Sequence, residues 1–146
     1  MIKILCILFL MCQSILFANM NIAEVCIGMN CWQMRIADTP QLRSKGLMFE
    51  NSMPIEQGMI FYFENERFPQ FWMKDMQFPL DILFVNKDNI ITYMVKYVPP
   101  CRKEPCDLYR STRKADKVIE INAGLSDKLN IHVGDSVLIK RSKTSG

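Results

Sequence analysis

Leu80-Asp81-Ile82-Leu83-Phe84-Val85 and Ile90-Ile91-Thr92-Tyr93-Met94-Val95-Lys96-Tyr97-Val98, joined by Asn86-Lys87-Asp88-Asn89, decide the fold class. Both runs are rich in β-branched and aromatic residues and have the length of a strand. The four residues between them are turn formers, so the stretch predicts a β-hairpin. In the second run Ile91, Tyr93, Val95 and Tyr97 alternate with Ile90, Thr92, Met94 and Lys96, the period of a strand.

The same pattern extends outward. Cys31 to Ala37 alternates, with Trp32, Met34 and Ile36 on one face and Gln33 and Arg35 on the other. Thr39-Pro40 is a helix start, a capping hydroxyl followed by proline at the first helical position, and Gly46 is placed to stop that helix with a left-handed cap. Met59 to Phe63 and Phe71 to Lys74 read as further strands, as do Val118 to Asn122 and Ser136 to Lys140 after the Gly134-Asp135 turn. Ser126 to Leu129 reads as a short helical turn. Pro99 to Lys117 has no clear period and holds three prolines, two cysteines and six basic residues; it is a long loop. Seven or eight short strands with one or two short helices predict a mainly β domain, a compact antiparallel β-sandwich or open barrel. Strands do not alternate with long helices, which argues against a doubly wound sheet.

Length and composition suit one domain in an exported chain. Residues 1–18 carry one lysine ahead of an apolar run that ends at Ala18, the pattern of a secretory signal peptide. Gln13 and Ser14 interrupt that run and leave it short of the ~20 apolar residues of a membrane span. The expected organisation is therefore a signal peptide at 1–18, a β-rich domain at 19–141 and a flexible tail at 142–146. Losing Lys3 lowers the formal charge from +3 to +2, too little to point to nucleic acid. Four cysteines remain: Cys26, Cys31, Cys101 and Cys106. An even number in an exported chain reads as two disulfides. Four residues separate the members of each neighbouring pair, and local pairing is the simplest of the three connectivities. A bridge closing so short a loop adds roughly 2 kcal/mol and mainly fixes loop shape.

Several blocks, taken in order, resemble one family. They are Gly46-Leu47-Met48, Gly58-Met59-Ile60-Phe61, Phe71-Trp72-Met73-Lys74, Pro79-Leu80-Asp81, Pro100-Cys101 with Cys106 and Tyr109, Glu120, Ala123-Gly124 and Gly134-Asp135. The family is the domain of unknown function 192, small and often exported proteins of bacteria and archaea. The resemblance spans about Met34 to Lys140. It implies a compact, mainly β sandwich and carries no activity with it. The chain departs from the family in having Asp75-Met76 where Asn-Thr is usual. Cys26 and Cys31 lie outside that shared region.

The residues that could carry chemistry are few. If Pro79 bends the chain, Lys74 and Asp81 meet on one surface, either as an anion or acid–base site or as an ion pair that braces the bend. Trp72 with Phe71, Tyr62 and Phe63 could form a flat stacking surface, or simply core. Met48, Met59, Met73 and Met76 are thioethers of the kind that hold Cu(I), and equally ordinary core filling. Four cysteines could hold zinc only if the two pairs converged, which export disfavours. The spacing is not the C-x-x-C of a redox site. The basic loop of Arg102, Lys103, Arg110, Arg113, Lys114 and Lys117 could touch a polyanion, with Tyr109 and Arg110 its residues of interest. Glu120 and Asp135 are carboxylates that could pair with Asp81, although Asp135 suits its own turn. No nucleophile elbow, phosphate-binding glycine loop or paired-histidine metal motif is present.

The sequence thus reads as an exported, monomeric binding or accessory protein of the cell envelope, with no metal, no cofactor and an envelope ligand or polymer as partner. Its candidate site residues are Trp72, Lys74, Asp81, Tyr109, Arg110 and Glu120. The alternative is a hydrolase acting on an envelope polymer, with Asp81 and Glu120 as acid and base.

Overall fold

The structure, a computed structural model, describes residues 21–141, so the expected signal peptide and tail lie outside the described residues. Nine strands and two short helices follow in order: β1 Ile22–Ile27, β2 Asn30–Ala37, α1 Pro40–Lys45, β3 Gln57–Arg67, β4 Gln70–Phe71, β5 Leu80–Val85, β6 Ile91–Val98, β7 Tyr109–Arg110, β8 Ala115–Asn122, α2 Leu125–Lys128 and β9 Val137–Arg141. Seven of the strands form one sheet in the order β6-β5-β8-β3-β2-β1-β9, and β4 pairs with β7 in a separate ribbon. An isolated bridge from Ile90 to Ser136 ties the segment before β6 to the segment before β9. The two edge strands do not pair, so the sheet curls without closing into a barrel. The mainly β, sandwich-like expectation holds. No helix among the described residues is long and apolar enough to cross a membrane.

The predicted hairpin forms, with β5 antiparallel to β6. Asn86 organises its turn by accepting the backbone N–H of Asp88 at 3.1 Å and of Ile90 at 2.9 Å on its side-chain oxygen. All six residues of β5 are buried, so both faces of the sheet are covered here. Leu83 and Val85 join Ile119, Ile121, Ile60, Met34 and Trp32 in a first core. Leu80, Ile82 and Phe84 join Val118, Phe61, Met59 and Met73 in a second core on the opposite face. Leu125 of α2 packs into the first core, while the β4–β7 ribbon contributes Phe71 and Tyr109 to the second.

Several expectations need correction. β1, hydrogen-bonded to both β2 and β9, was not anticipated; its polar Glu24 and small Ala23 dilute the signal. β2 and β3 are parallel, joined through α1, in an otherwise antiparallel sheet. Phe71 to Lys74 is not a strand: β4 ends at Phe71 and the chain turns through Lys74 and Asp75. The 99–117 stretch contributes the two residues of β7 and the start of β8. α1 is capped as expected, Thr39 Oγ1 accepting the Leu42 N–H at 3.2 Å. Gly46 has positive φ (49°), but its ψ of −131° lies outside the left-handed helical region. Gly58 is needed for close approach, since a Cβ there would stand 2.6 Å from the Glu120 carbonyl oxygen.

The sulfurs of Cys26 and Cys31 lie 2.07 Å apart, and those of Cys101 and Cys106 2.10 Å apart, so both pairs are local. The first closes the β1–β2 hairpin and the second closes the loop after β6.

Candidate functional site

Glu120 sits in the middle of β8 between Ile119 and Ile121, which point into the first core. Strand alternation turns Glu120 to the other face. The register lines up Arg35, Met59, Glu120 and Ile82 across β2, β3, β8 and β5, one row on the face of the second core. Two segments lie over that row: the Gly46-Leu47-Met48 turn after α1, and the chain from Phe71 to Met76. Between them is a cleft with a cavity of about 40 Å³, and Glu120 lines it.

The Glu120 side chain is only 5% exposed. None of the hydrogen bonds among the described residues involves its carboxyl group. Burial pushes its pKa from 4.5 up to about 8, with the Arg35 charge acting the other way and losing. Arg35 is spoken for by Glu50, through Nη1–Oε1 at 2.5 Å and Nη2–Oε2 at 2.8 Å. Its buried Nε has no partner among the described residues. Burial therefore favours the protonated form of Glu120, a carboxyl group at the base of a cleft.

The rim is aromatic and cationic. Trp72 is 48% exposed, and Lys74 Nζ lies 5.6 Å from its ring centroid. Lys74 also pairs with Glu104 at 2.6 Å, and that contact raises its pKa. Arg43 and Lys45 of α1 line the opposite side. Phe49, 71% exposed, follows the first segment. Its backbone N–H donates to the Asp75 carbonyl at 2.9 Å, joining the two segments. Phe71 closes the back, edge-on to Phe61 with centroids 5.0 Å apart. The Cys101–Cys106 loop hangs on the same segment: the Cys101 N–H donates to the Met73 carbonyl at 3.0 Å, and Glu104 belongs to this loop.

Of the six residues singled out from sequence, Trp72, Lys74 and Glu120 meet at this cleft. Asp81 does not. It is completely buried, with Oδ1 accepting the Tyr97 N–H at 2.9 Å and Oδ2 the Ser126 N–H at 3.0 Å. The expected meeting of Lys74 with Asp81 is overturned, since Lys74 turns to Glu104. The pairing of Asp81 with Glu120 fails too: Asp81 is opposite Ile121 and Glu120 opposite Ile82, so the two carboxyls project from opposite faces. Asp135 serves its turn, accepting the His132 N–H at 2.8 Å. Tyr109 is half-buried beside Met73 and Cys101 in a neighbouring hollow of about 140 Å³. Arg110 lies elsewhere, next to Phe68 and Thr112.

The flat aromatic surface is not formed. Phe71 and Phe63 pack on the second core and Tyr62 on the first. Lys117 leaves the basic loop, because it is buried and paired with Asp116 at 2.6 Å. Met59, Met73 and Met76 are buried in the second core, while Met48 is half-buried at the cleft.

Sequence reasoning missed Arg35, Arg43, Lys45 and Phe49. Arg35 was legible as the odd residue out on a strand whose other face is apolar, and the helix cap at Thr39 implied that Arg43 and Lys45 fall in a last turn. The positive φ of Phe49 (67°) and Asp75 (57°) has no marker in side chains that normally avoid it.

The profile of the family DUF192, described as "Uncharacterized ACR", matches residues 23–139. Two solved structures share the fold. A protein of Sinorhizobium meliloti 1021, provisionally described as a transcription regulator, is 27% identical, with a TM-score of 0.74 over 83% of this chain and 94% of that one. A protein of unknown function from Novosphingobium aromaticivorans DSM 12444 is 30% identical, with a TM-score of 0.72 over 80% of this chain and 83% of that one. No functionally curated protein matches the chain. With the family profile covering all but the ends, and the cleft, the β5–β6 hairpin and the Cys101–Cys106 loop built from the blocks quoted above, this chain belongs to the DUF192 family.

Proposed function

We propose that this protein is an exported binding protein of the cell envelope, monomeric, and that its ligand sits in the cleft over Glu120. The observation that carries the reading is Glu120: a residue 5% exposed, whose carboxyl takes part in none of the hydrogen bonds among the described residues and lines a cleft rimmed by Trp72 and Lys74. A carboxyl left without a protein partner at the floor of a cleft is a candidate for contact with a ligand. Export is supported by the apolar leader at residues 1–18 and by two cysteine pairs at disulfide distance. In this reading residues 1–18 are removed, 19–141 form the domain and 142–146 are a tail.

The enzyme alternative loses its two-carboxylate form, because Asp81 and Glu120 are on opposite faces. It survives only as Glu120 acting alone, a group whose pKa of about 8 suits proton transfer near neutrality. Native mass spectrometry of the protein purified from its own envelope tests the binding role. Wild type is expected to carry a co-purified ligand that Trp72→Ala and Glu120→Leu lose while staying folded. A ligand retained by both folded variants, or none in wild type, contradicts it.

A further inference from the structure

Resting on the binding role just assigned to the Glu120 cleft, we propose that the ligand enters it with a carboxylate group, which Glu120 meets as a hydrogen-bond donor beneath the cationic rim.

Size makes the first cut. One water needs roughly 10–15 Å³ of such space, so a cavity of about 40 Å³ takes about three non-hydrogen atoms. A carboxylate has three; a phosphate group has five and a sugar ring more. Charge makes the second. Arg43, Lys45 and Lys74 line the cleft, and Glu120 is the one acid among its lining residues. A cationic ligand would have to pass Arg43 and Lys45, with Lys74 already paired to Glu104, and then ionise a buried acid. No group of three or more His, Cys, Asp and Glu side chains among the described residues could hold a metal ion either. The walls make the third, since Leu47, Phe61, Phe71 and Met73 offer no side-chain donors to a polyol.

An O–H to O⁻ hydrogen bond between a carboxylic acid and a carboxylate is short and strong, more so where water is excluded. It requires one proton shared between two carboxyl groups. The protein supplies that proton, because burial keeps Glu120 protonated to about pH 8 while an ordinary aliphatic acid is already ionised. The charged group that acts on Glu120 is Arg35 from β2, shared with Glu50; Arg43 and Lys45 from α1 and Lys74 from the turn after β4, paired with Glu104, line the same cleft. β3 and β5 present Met59 and Ile82, which do not titrate. Above pH 8 two negative carboxylates would face each other and the ligand would leave.

The test is a titration of the mature protein with propionate, propionamide and inorganic phosphate, read from Trp72 fluorescence. Propionate is expected to bind at about pH 6 and about 30-fold more weakly at about pH 9.5, as the protonated fraction of Glu120 falls. Propionamide and phosphate are expected not to bind at either pH. Glu120→Gln keeps an N–H donor and should bind propionate with no such pH dependence, while Glu120→Leu should not bind it. Equal propionate binding at both pH values, phosphate binding in place of propionate, or no propionate binding at about pH 6 overturns the carboxylate assignment. If those failures occur while a ligand from the envelope still depends on Trp72, the binding role stands and only the ligand class falls. If the envelope ligand does not depend on Trp72 or Glu120, both fall.

Discussion

Phe49 donates its backbone N–H to the Asp75 carbonyl at 2.9 Å, and both residues hold positive φ, 67° and 57°. Phe49 directly follows one of the two segments that make the cleft, and Asp75 lies in the other. Left-handed backbone costs roughly 1–2 kcal/mol for a residue with a Cβ. Bonded to each other beside the cleft, they join its two segments, and Phe49, which lacks the local polar contact that eases Asp into this region, is held against local preference. Asp75→Gly should therefore be close to neutral in urea unfolding, with relief of strain offset by the freer unfolded chain. Asp75→Val, β-branched, should lose about 1–2 kcal/mol. Equal stability of the two variants would mean that no strain is held there.

Asp81 is predicted to be structural. Its carboxylate accepts the Tyr97 and Ser126 backbone N–H groups, the second of which lies in the first turn of α2, where the Gly124 cap has no side chain to offer. Hydrogen bonds to a charged group contribute about 1.5–3 kcal/mol each. Asp81→Asn puts an amide against one of the two donors and should cost about 2–3 kcal/mol in denaturant unfolding. It should leave ligand retention unchanged in the fraction that folds. A fully stable Asp81→Asn protein that has lost its ligand would return Asp81 to the site.

Glu120 should make stability depend on pH in an unusual direction. Its pKa is 4.5 when unfolded and about 8 when folded, so the folded protein holds the extra proton between these values. Stability is then greatest below about pH 4.5 as far as this group is concerned. It falls as pH rises to about 8 and is level above. The total fall is on the order of a few kcal/mol. Glu120→Gln should abolish this fall and be the more stable protein at pH 9. Parallel stability curves for the two proteins across this range would show that Glu120 is not held neutral.

The Cys101–Cys106 bridge should matter more to the cleft than to the fold. A loop this short adds about 2 kcal/mol at most. Yet it carries Glu104 to Lys74 and Cys101 to the Met73 carbonyl. The double variant Cys101→Ser, Cys106→Ser is expected to fold and to lose ligand. Lys74→Ala, half-buried at the rim, should leave the thermal midpoint unchanged and weaken retention. Alkylation of the denatured protein, read by peptide mass, should find none of Cys26, Cys31, Cys101 and Cys106 free. Four alkylated cysteines would remove the staples from this account.

Much of the fold was legible because it rests on local pattern. The β5–β6 hairpin, the capped α1 and the two faces of β2 each follow from a few adjacent residues. β1 was hidden, since Ala23 and Glu24 break its apolar run and its stability comes from two neighbouring strands. β4 was overdrawn for the opposite reason: Phe71-Trp72-Met73 looks like a strand, but Met73 and Phe71 are apolar because they roof the second core. In the site, Trp72, Lys74 and Glu120 were found by their chemistry, whereas Asp81 was misplaced. One residue of register decides which face of β5 and β8 a carboxyl takes, and that register is set by tertiary pairing, not by sequence neighbours.

A ¹³C NMR pH titration of the Glu120 side-chain carboxyl, with and without propionate, reads the proposed site itself. The account predicts a midpoint near 8 in the free protein and a change in the Glu120 signal when propionate is added. A midpoint at the ordinary value near 4.5, unmoved by propionate, would contradict it.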